Sequence, residues 1–314
     1  MFSSIKLYQQ LHMFHMSLTA SHMALSPDGS ALALADSEGG NLEVYNLPGK
    51  LVAASGEEEG LTSNRDFGLV CGTVESGEVS SVECVGDSVL TTSHSSRAVQ
   101  LWRWRPGQDL LHLSGEISHW DFQPTALQPA GETELVVWGE TCLARTDMDG
   151  LGRHSRRLAQ ELLAVMTAGQ VSWCLERGGQ LSCLDWRQPG PGHQISLDHD
   201  VSHSCIFQRG PATLVAARTG DTLRLWDVRS PHSVLQTSLT GAGGQVVADS
   251  EKILVTEDCR VSVFSLLLQR LFCHEAHKAE ISSLISHPTV RNLIISADTS
   301  KRLQAWVFNN NDLT

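Results

Sequence analysis

The sequence predicts an all-β fold, a seven-bladed β-propeller whose ring is closed by an N-terminal strand. Three observations predict it. A hairpin-shaped segment recurs seven times along the 314 residues. The residues that end these hairpins lie about 40 residues apart, the length of one four-stranded blade. The chain also has strand to spare before its first repeat and too little after its last.

The clearest hairpin runs from Leu214 to Arg229: an apolar strand, a Gly220-Asp221 turn, then an alternating strand that ends in Trp226-Asp227. Period-two alternation on both sides of turn chemistry is a hairpin signature. The same outline appears in Leu32–Tyr45, Leu90–Trp102, Leu135–Arg145, Val171–Asp185, Ile253–Phe264 and Leu293–Trp306. The terminal anchors are Tyr45, Trp102, Arg145, Leu184 (with Asp185), Trp226 (with Asp227), Phe264 and Trp306. The copy ending at Arg145 is the weakest, because the others end on an aromatic or a leucine. One interval is longer, between Tyr45 and Trp102, and residues 56–65 within it are polar and read as a surface insertion between the first two blades. All seven repeats fall in one predicted domain, residues 1–314. After Trp306 too few residues remain for a complete fourth strand, so Leu7–Met16 is expected to supply it and to leave no unpaired edge. Leu7, Leu11 and Phe14 also fit helical spacing, which keeps a short helix as the alternative.

Composition narrows the function classes. Hydrophobic residues at 41% and charged residues at 18% are ordinary for a globular chain. A net charge of −12 disfavours non-specific binding to nucleic acid or anionic lipid, which needs clustered Lys and Arg. The one basic cluster is Arg153-His154-Ser155-Arg156-Arg157. Eight cysteines stand singly, with no CxxC pair, and read as buried small hydrophobes in a reducing compartment. No stretch approaches the ~20 apolar residues of a membrane span, and the N-terminal residues lack a signal-peptide core.

Trp226-Asp227 looks like the dipeptide that names WD repeats, and Leu184-Asp185 like a worn copy of it. His277 followed by Ile281–Pro288 is similar to the family's blade opening, and Ser26-Pro27-Asp28-Gly29 to one of its hairpin turns. The chain resembles the WD-repeat family over essentially its whole length. That family places an Asp six residues before the Trp, where it bonds a blade-opening histidine. Gly220 and Ser300 stand at those positions here, so a largely missing polar network and blades held mainly by apolar packing are expected. Five short segments in order (Lys6–Gln9, Asn64–Phe67, Val99–Trp102, Gly179–Gln188 and the Trp306 hairpin) resemble a cytoplasmic scaffold within the family. The resemblance implies a role in assembling the RNA-cleaving module of the Integrator complex and in microtubule and spindle organisation. The implied partners are Integrator endonuclease-module subunits and microtubule-associated proteins. The implied location is the cytoplasm and, in dividing cells, spindle poles and the cleavage furrow. Trp226-Asp227-Val228-Arg229 also resembles the box with which some propellers dock on a cullin ubiquitin-ligase adaptor, although its acidic residue stands one place off, at Asp221. A substrate receptor of such a ligase is the alternative.

No motif assigns a catalytic residue, a cofactor or a metal. His274-Glu275-Ala276-His277 falls one residue short of a zinc-binding HExxH helix and reads as a blade-opening histidine beside an exposed one. Asp198, His199, Asp200 and His203 read as an inter-blade loop, and Asp147 and Asp149 as turn formers. Cys174 and Cys183 fall on neighbouring strands and could approach each other as a reduced pair. Trp104, Trp120, Trp138, Trp173 and Trp186 lie off the anchor register, and some are expected to be exposed partner contacts. Candidate contacts are Arg65, Asp66 and Phe67 beside the insertion, and Arg229 in its box. The alternative for Phe67 is that it starts the next blade's outer strand and packs inward.

Overall fold

Alternating hairpins bring a polar turn and two half-apolar strands, and each needs further strands and a neighbouring sheet to bury its faces. The computed structural model meets that need with seven four-stranded antiparallel sheets, a seven-bladed β-propeller. It describes residues 8–48, 67–74, 77–104, 109–118, 120–131, 133–150, 152–188, 190, 192–197, 201–241 and 244–308. The insertion at 56–65 lies outside the described residues; by its place in the sequence it falls between the third and fourth strands of blade one rather than between blades one and two. In sheet order, blade one is His22–Leu25, Ala31–Ala35, Asn41–Asn46 and Gly68–Val74. Blade two is Val79–Val85, Ser88–Ser93, Ser96–Arg103 and His112–Ile117. Blade three is Ala126–Pro129, Glu134–Trp138, Cys142–Asp147 and His154–Arg157. Blade four is Leu162–Ala168, Val171–Glu176, Gln180–Asp185 and Gln194–Ser196. Blade five is His203–Arg209, Ala212–Thr219, Thr222–Asp227 and Ser230–Ser238. Blade six is Val246–Ala248, Lys252–Glu257, Arg260–Ser265 and Arg270–His274.

Blade seven takes Ile281–Ser286, Leu293–Asp298 and Arg302–Phe308 from one end of the chain and Tyr8–His15 from the other. Tyr8–His15 pairs antiparallel with Arg302–Phe308, with Leu11 opposite Trp306 and His15 opposite Arg302. The N-terminal segment is a strand rather than a helix, and it occupies the edge that would otherwise be open. The chain divides into two compact units, residues 1–127 with 282–314, and residues 128–281.

Within each unit the strand period assigns side chains to two different cores. In blade one, Leu32 and Leu34 pack with Leu293, Ile295, Leu303 and Ala305 of blade seven. Their neighbours Ala31, Ala33 and Ala35 point the other way and pack with Val79, Val82 and Val89 of blade two. In blade five, Leu214 and Ala216 join Ile253, Val255 and Phe264 of blade six. Val215, Ala217 and Trp226 join Leu175 and Leu181 of blade four. Burial on both faces explains why second strands read as continuous apolar runs rather than alternating ones.

All seven anchors lie on third strands. Trp226, Trp306 and Phe264 are essentially sealed from solvent. An indole N–H removed from water needs an acceptor, and a hydroxyl on the second strand supplies it. Trp102 donates to Thr91 Oγ1 at 2.9 Å and Trp306 to Ser296 Oγ at 3.2 Å. In blade four the same part is played two positions later, by Trp186, which donates to Ser172 Oγ at 2.8 Å. Arg145 fills the weak blade's slot and is only 4% exposed. It is pinned by Glu134 Oε2 at 2.5 Å and by the Gly169 carbonyl at 2.8 Å.

The expectation of a largely missing polar network is corrected by three buried carboxylates at the ends of second strands. Glu176 accepts the backbone N–H groups of Ala159 and Gln160, at 3.1 and 3.0 Å, and the Ser182 hydroxyl at 2.8 Å. Glu257 repeats the arrangement in blade six, accepting from Thr240 N, Gly241 N and Ser262 Oγ. Burial pushes the Glu257 carboxyl up, but the hydrogen bonds from Ser262, Thr240 and Gly241 outweigh it and hold the group below the usual range. Asp298 accepts from Ser300 N and Arg302 N, at 2.9 and 3.1 Å. Arg218, buried in blade five, donates to the carbonyls of Gly220 and Gly241. Each carboxylate therefore fixes a loop or turn at the end of its blade.

His287 ties blade seven to blade one. Its Nδ1 accepts the backbone N–H groups of Thr289 and Val290, at 3.2 and 2.9 Å. That leaves Nε2 to donate to the Gly29 carbonyl at 3.0 Å. Gly29 has φ +74°, and a Cβ there would stand 2.2 Å from the imidazole, so only glycine fits the turn.

Two outcomes are expected. Trp226→Ala should cost about 3–5 kcal/mol as a large-to-small core change. Arg145→Ala should cost about 1–3 kcal/mol by stranding Glu134 and the Gly169 carbonyl, with Arg145→Met recovering part of it. Chemical denaturation of the three variants checks this, and a negligible loss for Arg145→Ala would contradict the pinned geometry. The second outcome concerns pH. Burial depresses the His287 pKa below the ordinary 6.5, so its bonds contribute fully above that value and are lost as pH falls through the depressed one. The stability gap between the wild type and His287→Gln should therefore shrink on acidification below pH ~6.5, and thermal melts that keep the gap constant to pH ~4 would contradict the neutral tautomer.

Candidate functional site

Recognition by a rigid scaffold is carried by the turns and edges it presents, and those of this chain can be built from their residues. Asp227 ends the third strand of blade five. Its carboxylate accepts the backbone N–H of Arg229 at 3.0 Å, Nε at 3.0 Å and Nη2 at 2.6 Å. Blade four holds the same clamp: Asp185 accepts Arg187 N at 3.0 Å, Nε at 2.8 Å and Nη2 at 2.7 Å. The hydrogen bonds from Arg187 hold the Asp185 carboxyl down at about 2, and those from Arg229 lower Asp227. Both arginine side chains remain mostly exposed, at 67% and 62%, so the clamps add little stability but hold each guanidinium in a set orientation. The Asp-x-Arg signal at Asp185-Trp186-Arg187 is present in the sequence and was hidden by the missing Trp before Asp185. Asp221 lies 3.8 Å from Arg218 and forms no ion pair with Arg229.

Phe67 precedes the fourth strand of blade one. It is half-buried and meets Phe14 edge-on, with ring centroids 4.4 Å apart, at the side of the core shared by blades one and seven. Arg65 and Asp66 lie outside the described residues.

Several other expectations change. None of the five off-register tryptophans is exposed. Trp120 and Trp186 are buried and hydrogen-bonded, while Trp104, Trp138 and Trp173 are half-buried against apolar clusters. His274 is buried rather than exposed and meets His277 edge-on at 5.4 Å. The register of blade four sets Cys183 opposite Trp173 and Cys174 opposite Ser182. Period two therefore puts the two cysteines on opposite faces of the sheet. Asp198, His199 and Asp200 lie outside the described residues. Among the described residues, no group of three or more His, Cys, Asp or Glu side chains is arranged to hold a metal.

Exposed apolar side chains concentrate elsewhere. Among the described residues, Met13, Leu69, Val74, Leu110 and Leu113 are exposed large hydrophobics of the first unit. All but Leu110 sit on fourth strands of blades seven, one and two. Leu110 belongs to a parallel bridge with Gly72, in which Gly72 N–H donates to the Asp109 carbonyl and Leu111 N–H to the Gly72 carbonyl. Backbone pairing thus brings Leu110 against the strand that carries Leu69 and Val74. No protein-family model matches the chain, and no curated protein matches its sequence.

Phe67→Ala should lower stability by about 1–3 kcal/mol through lost packing on Phe14. Leu69→Asp, two residues on, should leave the denaturation midpoint within experimental error, because a mostly exposed side chain contributes little. Equal losses from both would contradict the inward placement of Phe67.

Proposed function

We propose that this chain is a non-catalytic protein-interaction scaffold of the WD-repeat kind. The observation that carries this reading is the set of exposed apolar side chains Leu69, Val74, Leu110 and Leu113 on paired strand segments of blades one and two. A soluble chain seldom leaves such a group in water unless another surface covers it, and a β-propeller fits that role in general. The finer reading rests on the resemblance of the quoted segments to WD repeat-containing protein 73. It supports a cytoplasmic factor that assembles the Integrator endonuclease module and takes part in microtubule and spindle organisation, at spindle poles and the cleavage furrow during division. The partners are then Integrator subunits and microtubule-associated proteins.

A second reading is favoured by one specific observation. The Asp-x-Arg clamps of Asp185–Arg187 and Asp227–Arg229 stand at equivalent positions of two consecutive blades with nearly the same bond lengths. Paired, oriented guanidinium groups would suit docking on a cullin-ligase adaptor.

Affinity capture of tagged wild type from cell extract, followed by mass spectrometry, separates the readings. The scaffold reading expects Integrator endonuclease-module subunits to be captured, and Leu69→Asp with Leu113→Asp to reduce capture several-fold without changing the circular dichroism spectrum. Capture of ligase adaptors that is lost with Arg187→Ala and Arg229→Ala would favour the second reading. Capture of no partner by the wild type would overturn both.

A further inference from the structure

Blade three differs from the other six at its anchor slot, and the difference leaves a cleft. Six blades fill that slot with an aromatic or a leucine, whereas blade three has Arg145. A guanidinium with a carboxylate beside it cannot pack against the next sheet as an indole does. The apolar contact between blades three and four, made by Val136, Leu143, Val165, Leu184 and Trp186, therefore gives way to a polar cavity of about 430 Å³. Arg145, Asp147, His154, Gln170, Trp186 and Arg187 are among its lining residues.

The cleft opens beside the fourth strand of blade three, His154–Arg157, which is last in its sheet and pairs only with Cys142–Asp147. No other fourth strand carries two arginines. Residues 150–160 contain three Arg, one His and no acid, in a chain of net charge −12. The register places His154 and Arg156 on the cleft side with Arg145 and Leu143. Arg156 lies over the Trp186 ring at 5.8 Å and donates to the carbonyls of Ser155 and Gln188, both at 3.0 Å. It makes no ion pair among the described residues. The His154 side chain makes no hydrogen bond among them. Arg187, at the mouth, is held by Asp185.

We propose that this edge and cleft form a docking site for an acidic, extended peptide of a partner protein, which adds as a fifth strand along His154–Arg157 and sets carboxylates against His154 and Arg156 on the cleft face, while Arg157 on the opposite face adds to the positive charge of the edge. The main chain of the edge supplies the hydrogen bonds, and the alternating cationic side chains supply specificity. A charged edge normally guards a sheet against stray pairing, and an acidic strand is the complement that lifts the guard. Glu134 and Asp147 lie among the cations of the cleft, so a compact polyanion such as a nucleic acid meets repulsion there, while spaced carboxylates reach the cations one at a time. The inference deepens the scaffold reading, on which it rests, by assigning one partner chemistry to one edge.

The test is fluorescence anisotropy of the full chain with three labelled probes: an alternating Glu-Val peptide, the matching Lys-Val peptide and a single-stranded RNA oligonucleotide. The Glu-Val peptide should bind saturably and weaken with added salt, and its binding should slow hydrogen exchange at residues 154–157. Arg156→Glu with Arg157→Glu should weaken it about tenfold or more, whereas Arg103→Glu, at an exposed position of blade two, should not. If the reversed pair fails to fold by circular dichroism, Arg156→Gln with Arg157→Gln replaces it. Equal binding to the double variant, equal binding of the Lys-Val peptide, preference for RNA, or unchanged exchange at 154–157 would each overturn the proposal. Capture of partners by wild type and by the double variant alike, with no peptide binding, removes this site and leaves the scaffold reading intact. Capture of none by the wild type removes the scaffold reading itself.

Discussion

The packing of one sheet's face on the next is the interaction on which the rest of this structure depends. A four-stranded sheet of short strands cannot bury both faces by itself, and here the second strands are the most enclosed, with Ala31–Ala35 and Lys252–Glu257 buried throughout. Alternate residues of one such strand serve two cores, as Leu32 and Ala33 do. Stability is therefore shared between neighbours, and a blade weakened at its anchor draws on the ones beside it. The polar devices follow from the same constraint. Enclosing the second strands also buries Glu176 and Glu257 at their ends, and each carboxylate is satisfied there by backbone N–H groups of an adjacent loop and by a serine hydroxyl.

Much of this was legible in the sequence, and the reasons are physical. The hairpin pattern and its spacing follow from the period of a strand and the size of a blade, so the third-strand positions of Trp226, Phe264 and Trp306 could be read directly. The extra N-terminal strand followed from counting. What could not be read depends on partners distant in sequence. Glu176 and Glu257 bond backbone N–H groups, and a backbone donor leaves no trace in residue identity. Trp186, one residue past the strand that ends at Asp185, supplies the hydrogen-bonded aromatic that the Leu184 slot lacks and joins the same apolar cluster, and this two-residue displacement blurs the expected motif. Arg145 looked like a defect, yet its side chain finds Glu134 and Gly169, eleven and twenty-four residues away.

Candidate contacts were harder still. Exposure depends on packing, which a motif does not report. Some off-register tryptophans were expected at the surface, yet all five turn inward, and Phe67 takes the inward of its two readings, while the exposed apolar residues are the less conspicuous Leu69, Val74, Leu110 and Leu113. The Asp-x-Arg clamp at Asp227 was visible beside its Trp, and its twin at Asp185 was not, because Trp186 stands on the other side of the acid. The basic run 153–157 stands out in the sequence only by its charge, because its place on a sheet edge beside a cleft depends on the pairing of His154–Arg157 with Cys142–Asp147.

The pairing of Tyr8–His15 with Arg302–Phe308 has a consequence for biosynthesis. Of the described strands, the one nearest the N-terminus waits longest for its partner. About 300 residues must follow it, which takes on the order of 15–60 s at ~5–20 residues per second. The second unit, by contrast, is a continuous stretch of chain, residues 128–281, and all its residues leave the ribosome before blade seven is finished. For that interval Leu11, Met13 and Phe14 stand on an unpaired strand, open to chaperones or to pairing with another nascent copy. Yield in a cell is then set by how well that early strand is shielded until the last blade arrives, as well as by the stability of the closed fold.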